Sequence, residues 1–209
     1  MKRNSVPGTI RNSVPGSKER AVGVQREPVR SDARRSRAAL IEAAAAEFVT
    51  AGVDAPVRAI AARAGVGVGT VYRHFPTRPD LVVAVYRHQV EGCAAAARTC
   101  LDAGPTPFDA LTAWVGEFVD LLVTKHGLVA MLVHDDGRSA ALHELFLERL
   151  LPAGEEIVRA AREAGQLPSD VTAYEVLRGI GNLCFGAEAD SAYDARRAVG
   201  FFLAGLRVA

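Results

Sequence analysis

The chain has little cysteine: three residues, Cys93, Cys100 and Cys184. The number is odd and no pair has CxxC spacing, so neither a disulfide framework nor a zinc finger is supported. A reducing cytoplasm is the expected compartment. Long apolar runs are missing. No stretch approaches the roughly 18 consecutive apolar residues of a membrane span, and the opening residues carry no signal-peptide core. No membrane partner or secretion is therefore expected. No G-x-S-x-G, P-loop, dinucleotide fingerprint or H-E-x-x-H occurs, which removes the common enzyme classes and leaves no cofactor to expect. No convincing alternation of apolar and polar residues marks a strand.

What is present is a globular composition of 209 residues, 49% apolar and 23% charged, enough for one large domain or two small ones. The net charge of +1 hides a segregation. Residues 1–88 carry 15 Lys/Arg against 7 Asp/Glu, and residues 89–209 carry 10 against 17. The front half is suited to a polyanion and the back half is not. Of the 25 basic residues, 22 are Arg, a residue suited to bidentate phosphate contact. High-GC codon usage also explains an Arg excess, but it does not explain the segregation.

Residues 1–30 read as a disordered basic tail. The hexapeptide RNSVPG occurs at Arg3–Gly8 and again at Arg11–Gly16 in a segment with little to bury. Loose phosphate contacts and upstream sequence from a misassigned start are both open readings. From Ser31 onward the pattern is helical, and the expected fold is all-α. Ser31 or Asp32 can cap a helix to about Ala51, with Leu40, Ala44 and Phe48 on one face. Short helices are expected from Pro56 to Gly65 and over Val68–Phe75. Thr77, with Asp80 at the reciprocal position, opens a long helix to about Leu101. Thr106-Pro107 starts another to about Lys125, and a short one covers Leu128–Val133. A helix over Ser139–Ala164 contains Pro152, which should kink or split it. Thr172-Ala-Tyr-Glu175 is a capping box, and Ser191-Ala-Tyr-Asp194 resembles one.

The informative segment is PVRAIAARAGVGVGTVYRHF, Pro56–Phe75. Two short helices meet at Gly65-Val66-Gly67, where Gly65 can take a left-handed conformation. Ala61 is small where the helices cross, and Ile60, Val66 and Val71 supply the apolar lock. Val68, Gly69, Thr70, Tyr72, Arg73 and His74 are left as candidates for an outward face. This is a helix-turn-helix, whose second helix enters the major groove of DNA.

The longer run VRAIAARAGVGVGTVYRHFPTRPDLVVAV, Val57–Val85, closely resembles the DNA-binding domain of TetR-family repressors, and the likeness extends from Arg34 to Arg87. The AGV turn, the GTVYRHF helix and the Pro-Thr-Arg entry to the fourth helix carry it. The stretch AREAGQLPSDVT is similar to a segment of one branch of that family. The resemblance implies an N-terminal three-helix DNA-binding domain over residues 31–78 and a larger helical regulatory and dimerisation domain over residues 79–209. It implies that Thr70 and Tyr72 hold phosphates or approach base edges, that His74 touches the backbone and that Arg78 binds a phosphate. Arg58 would reach groove or backbone, while Gly67, Val68 and Gly69 lead the recognition helix. The sequence departs from the pattern at Ala55 and Gly67, where hydroxyl residues are common. With few side chains at the leading end able to hydrogen-bond bases, mostly phosphate contacts are expected, with Val68 near a thymine methyl and Arg73 or Arg58 near guanine. Arg30, Arg34, Arg35 and Arg37 can follow a phosphate ridge or form a solvated charge run. Tyr72 and His74, taken singly, also fit ordinary packing.

Leu177, Ile180 and Cys184 in the penultimate helix and Val199, Phe202 and Leu206 in the last lie on helices apolar on more than one side, which are buried or paired. The resemblance implies a four-helix homodimer interface there, and packing within one subunit is the competing reading. It also implies a small-molecule cavity among Trp114, Phe118, Leu122, Met131, His134, Phe146 and Leu150, residues that equally suit a filled core. The one cluster resembling metal ligands, His134-Asp135-Asp136 with His143, matches no standard spacing, so no metal is expected. Cys93 and Cys100 share a helix face and fit either oxidant sensing or packing. The function expected is a homodimeric repressor, bound to a palindromic double-stranded DNA operator and released by a small-molecule effector. A ligand-independent activator or architectural DNA-binding protein is the alternative; an enzyme has no catalytic constellation behind it.

Overall fold

A computed structural model describes residues 26–132, 136–185, 187 and 190–208. Among the described residues there are eight helices and no strand: α1 (Arg26–Ala51), α2 (Val57–Arg63), α3 (Val68–His74), α4 (Arg78–Ala103), α5 (Pro107–Leu132), α6 (Asp136–Glu163), α7 (Ala173–Cys184) and α8 (Ala195–Leu206). The fold is all-α, as expected. No described helix is long and apolar enough to cross a membrane.

Local chemistry sets most boundaries. Thr77 Oγ1 accepts from the Asp80 N–H at 3.3 Å, while Asp80 Oδ2 accepts from the Thr77 N–H at 3.0 Å. The reciprocal pair satisfies two donors that a helix start leaves orphaned. Thr172 and Glu175 repeat the device at α7, at 3.2 Å and 2.9 Å. At the end of α2, Gly65 has φ +68° and the Val66 N–H returns to Ala61 O at 3.0 Å. Gly165 ends α6 in the same way, with φ +70° and the Gln166 N–H on Ala161 O at 2.9 Å. Both are left-handed terminations that satisfy the last carbonyls.

Several expected boundaries are corrected. The chain is already helical at Arg26, ahead of the expected cap at Ser31 or Asp32. Asp32 lies inside α1 and pairs with Arg35 one turn on. Residues 1–25 of the expected tail lie outside the described residues. Pro56 is the N-cap of α2 rather than its first residue. The expected break between Lys125 and Leu128 does not occur, because α5 runs through Gly127. A helical glycine costs only about 1 kcal/mol. Pro152 does not split α6. It sits on the exposed side, where water can serve the carbonyl it orphans, and Leu150, Ile157 and Val158 hold the helix by burial on either side of it. Asp194, not Ser191, caps α8 by accepting the Arg197 N–H at 3.0 Å.

α1 packs on α2 and α4, and α2 on α3; α4, α5 and α6 pack mutually, α7 lies on α5 and α6, and α8 on α7 and α5. Trp114 is fully buried at the centre of the larger group. Its Nε1–H donates to Cys93 O at 2.8 Å, and its ring stacks on Phe118 at 6.2 Å. Cys93 is buried and packs in the core, and burial pushes its thiol up to about 12, away from the thiolate form. The Cys100 thiol is also raised, first by burial and then by Glu117.

Candidate nucleic-acid interface and cavity

On α3, Val71 is buried and Val68 half-buried, with Phe75 buried just beyond the helix end. These positions, three and four residues apart, form the inward stripe. The opposite face is Gly69, Tyr72 and Arg73, again at i, i+3 and i+4, and all three are exposed. Tyr72 is 52% accessible, its ring standing away from the core. Thr70 and His74 lie on the flank, half-buried, and the His74 ring tilts against Phe75 at 6.3 Å. Gly67 is exposed and caps α3 without any side-chain bond. Arg58 on α2 and Arg34 on α1 are exposed and, among the described residues, make no hydrogen bond or ion pair. The helix-turn-helix thus brings Gly69, Tyr72 and Arg73 together, with Thr70 and His74 beside them.

One arginine is placed differently from the sequence expectation, and another makes a contact that the sequence did not specify. Arg78 does not stand free for phosphate. Its Nε donates to Val53 O at 2.7 Å and its Nη2 to both Val53 O and Ala55 O, the latter at 2.7 Å. It clamps the α1–α2 loop. Arg37 places its guanidinium 5.4 Å over the Phe75 ring, so α1 carries positive charge to the end of α3. Arg37 stood among the basic residues of the first helix, but nothing in that pattern singled it out from Arg34 or Arg35.

A cavity of about 530 Å³ opens between α5, α6 and α7. Phe118 and Leu122 come from α5, and His143, Phe146, Leu147 and Leu151 from one face of α6. α7 adds Tyr174, Leu177, Arg178, Gly181, Asn182 and, just past its end, Phe185. Three expected pocket residues, Phe118, Leu122 and Phe146, line it. Trp114 and Leu150 do not: both are wholly buried in the core, Trp114 by its bond to Cys93. Of the other two, His134 lies outside the described residues, as does Asp135, and the side chain of Met131 is not described. Among the described residues no group of His, Cys, Asp and Glu could hold a metal.

The expected dimer residues also divide. Leu177, Ile180, Cys184 and Val199 are buried within their own subunit. The two helices pack on each other, so their apolar residues face inward first. Phe202 is half-buried with its ring against Gly179, where an added Cβ would lie 2.8 Å from the ring tip. Phe202 and Leu206 border a smaller hollow of about 260 Å³. The outward apolar residue of α8 is Phe201, 66% accessible, with Arg197 stacked on it at 5.3 Å. Helical spacing alone does not say which of two adjacent phenylalanines faces a neighbouring helix.

Residues 40–85 match the family model described as bacterial regulatory proteins, tetR family. Residues 106–208 match the model for the C-terminal domain of SbtR-like transcriptional regulators. The solved TetR transcription regulatory protein of Mycobacterium vanbaalenii is 35% identical, with TM-score 0.65 over 87% of this chain and 100% of that one. The chain belongs to the TetR family of transcriptional regulators. A second TetR-family structure, SCO0520 of Streptomyces coelicolor, is 29% identical with TM-score 0.69, covering 82% of this chain and 98% of its own. The HTH-type transcriptional repressor KstR of Mycolicibacterium smegmatis is 36% identical over 85 residues, 40% of this chain and 42% of the relative. This chain therefore matches less than half the length of that curated relative. As a member of the TetR family this regulator is a DNA-binding protein and not an enzyme.

Proposed function

We propose that this TetR-family regulator is a cytoplasmic homodimeric repressor that holds a palindromic operator and leaves it when a small molecule fills the cavity between α5, α6 and α7. The observation that carries the reading is the exposed face of α3. Tyr72 and Arg73 project from a helix whose other side is locked by Val71 and whose entry is fixed by the turn at Gly65. One such face has too few contacts for useful affinity, and two on one duplex act together. Arg34, Arg58, Arg73 and the Tyr72 hydroxyl supply phosphate contacts, with Thr70 and His74 at the flanks and Gly69 leaving the leading end open to the duplex. The cavity supports release by a ligand over a ligand-independent role, because its size falls in the range of small-molecule sites. Ligand and operator need only prefer different conformations to oppose each other. The resemblance to a repressor over part of its length supports repression.

The test is fluorescence anisotropy with DNA flanking the gene, repeated over a range of salt. Tyr72→Ala and Arg73→Ala should each weaken binding, and Arg73→Ala should lower the salt slope by about 1 per DNA-bound head. Affinity for a palindromic fragment equal to that for arbitrary DNA, unaltered by either change, would remove the reading.

A further inference from the structure

We infer that the cavity between α5, α6 and α7 selects an amphipathic monocarboxylate, with Arg178 as the residue that recognises its charge. The inference rests on the reading of this cavity as an effector site and names the class of effector.

The deep side of the cavity is apolar: Phe118, Leu122 and Leu177 are buried, with Phe146, Leu147 and Leu151 half-buried beside them. A ligand placed there must present an apolar body, because an unpaired polar group would lose its water without replacement. The polar groups come from the α7 side and the mouth. Residues 174, 177, 178, 181, 182 and 185 recur every three or four positions, so one stripe of α7 and its end faces the opening. Arg178 is the one full positive charge among the described lining residues, and none of these is acidic.

Arg178 is also uncommitted. It makes no hydrogen bond or ion pair among the described residues. The nearest acid on its own helix, Glu175, is bound to the hydroxyl and N–H of Thr172 at 2.7 Å and 2.9 Å. Guanidinium matches a carboxylate in a planar, two-bond arrangement. His143, stacked parallel on Phe146 at 6.4 Å, and Asn182 add side-chain hydrogen-bonding groups around the same opening. Gly181 leaves the space open, for a Cβ built there meets nothing within 4 Å. A cationic head would meet Arg178 with no acid among the described lining residues to offset it, and a neutral head would leave the exposed guanidinium to water and forgo the charge-assisted pair.

The experiment compares three compounds with one body and different heads: phenylvalerate, phenylpentanol and phenylpentylamine. Binding to the full chain is measured by titration calorimetry without DNA. The carboxylate should bind roughly tenfold more tightly than the alcohol, the difference expected for one charge-assisted interaction, and the amine most weakly. Arg178→Met keeps an apolar stem and should bring carboxylate and alcohol within about threefold of each other while leaving alcohol affinity in place. Gly181→Leu fills the opening from a helical position and should abolish binding of both, with the thermal melt of each variant confirming the fold. Equal binding of alcohol and carboxylate, a preference for the amine, no binding of any head, or a carboxylate preference that survives Arg178→Met would each overturn the inference. So would undiminished binding to Gly181→Leu. Operator affinity is measured on the same preparations without ligand. Its absence would count against the repressor reading and leave the ligand result standing.

Discussion

An arginine at the mouth of a fourth helix can hold a phosphate or hold its own protein, and in the free chain Arg78 does the second. Its guanidinium satisfies two carbonyls of the loop that sets the angle between α1 and α2. Removing it leaves those carbonyls in a half-buried place. Hydrogen bonds from charged donors contribute about 1.5–3 kcal/mol, less where solvent reaches them. Arg78→Met should therefore lower stability in urea by about 1–2 kcal/mol. It should weaken operator binding without changing the salt slope, because a misplaced head loses fit and not a phosphate. A slope reduced by about 1 per head would assign Arg78 to phosphate after all. The sequence did not reveal the clamp, since the partners are backbone oxygens 23 and 25 residues upstream that carry no side-chain signature. The inward Val71 and the outward Tyr72 and Arg73 were readable from helical spacing, whereas Val68, expected on the outward face, lies half-buried on the inward stripe with Val71 and Phe75.

At the scale of elements, what could be read was what acts within one turn. The boxes at Thr77–Asp80 and Thr172–Glu175 and the glycine terminations at Gly65 and Gly165 are all contacts across three to five residues. The expected breaks at Pro152 and between Lys125 and Leu128 did not occur, because helices held by a buried face tolerate a local penalty of about 1–3 kcal/mol. The Thr172 box gives a pH-dependent test. Glu175 is held below its ordinary carboxyl range by the Thr172 hydroxyl first and the Thr172 N–H second. A depressed carboxyl contributes stability above its unfolded pKa and loses it as pH falls through the folded value. Thr172→Ala removes both the cap acceptor and the hydroxyl donor, at a cost of about 1 kcal/mol near neutrality, or roughly 3 °C in Tm for a chain of this size. The gap between wild type and variant should narrow as pH is lowered from 6 towards 3, since protonated Glu175 no longer gains from the hydroxyl. It should not close, since the Glu175 N–H still wants an acceptor. Thermal melts by circular dichroism across that range check it, and a gap that widens on acidification would contradict the assignment.

For the whole molecule the proposed dimer raises the question of which surface would meet a second copy. Apolar periodicity pointed to α7 and α8, but most of their apolar residues close the subunit's own core. What they leave outside is Phe201, with Phe185 at 82% accessible and Val208 beyond the end of α8. An exposed phenylalanine on an apolar helix is costly to leave in water and is a natural interface anchor. Phe202 is the poorer probe of assembly. Its ring supports the contact of α8 with Gly179, so a charge there would confuse loss of folding with loss of the dimer. Phe201→Arg separates the two. The position is open in the subunit, so the variant should melt within about 0.5 kcal/mol of the monomer's own stability. Beside Arg197, the new charge would be buried against its symmetry mate in a dimer, at a cost of several kcal/mol. Sedimentation at micromolar concentration should show a monomer, and operator affinity should fall because two heads no longer share one duplex. A folded Phe201→Arg that still sediments as a dimer would move the interface away from this face of α8.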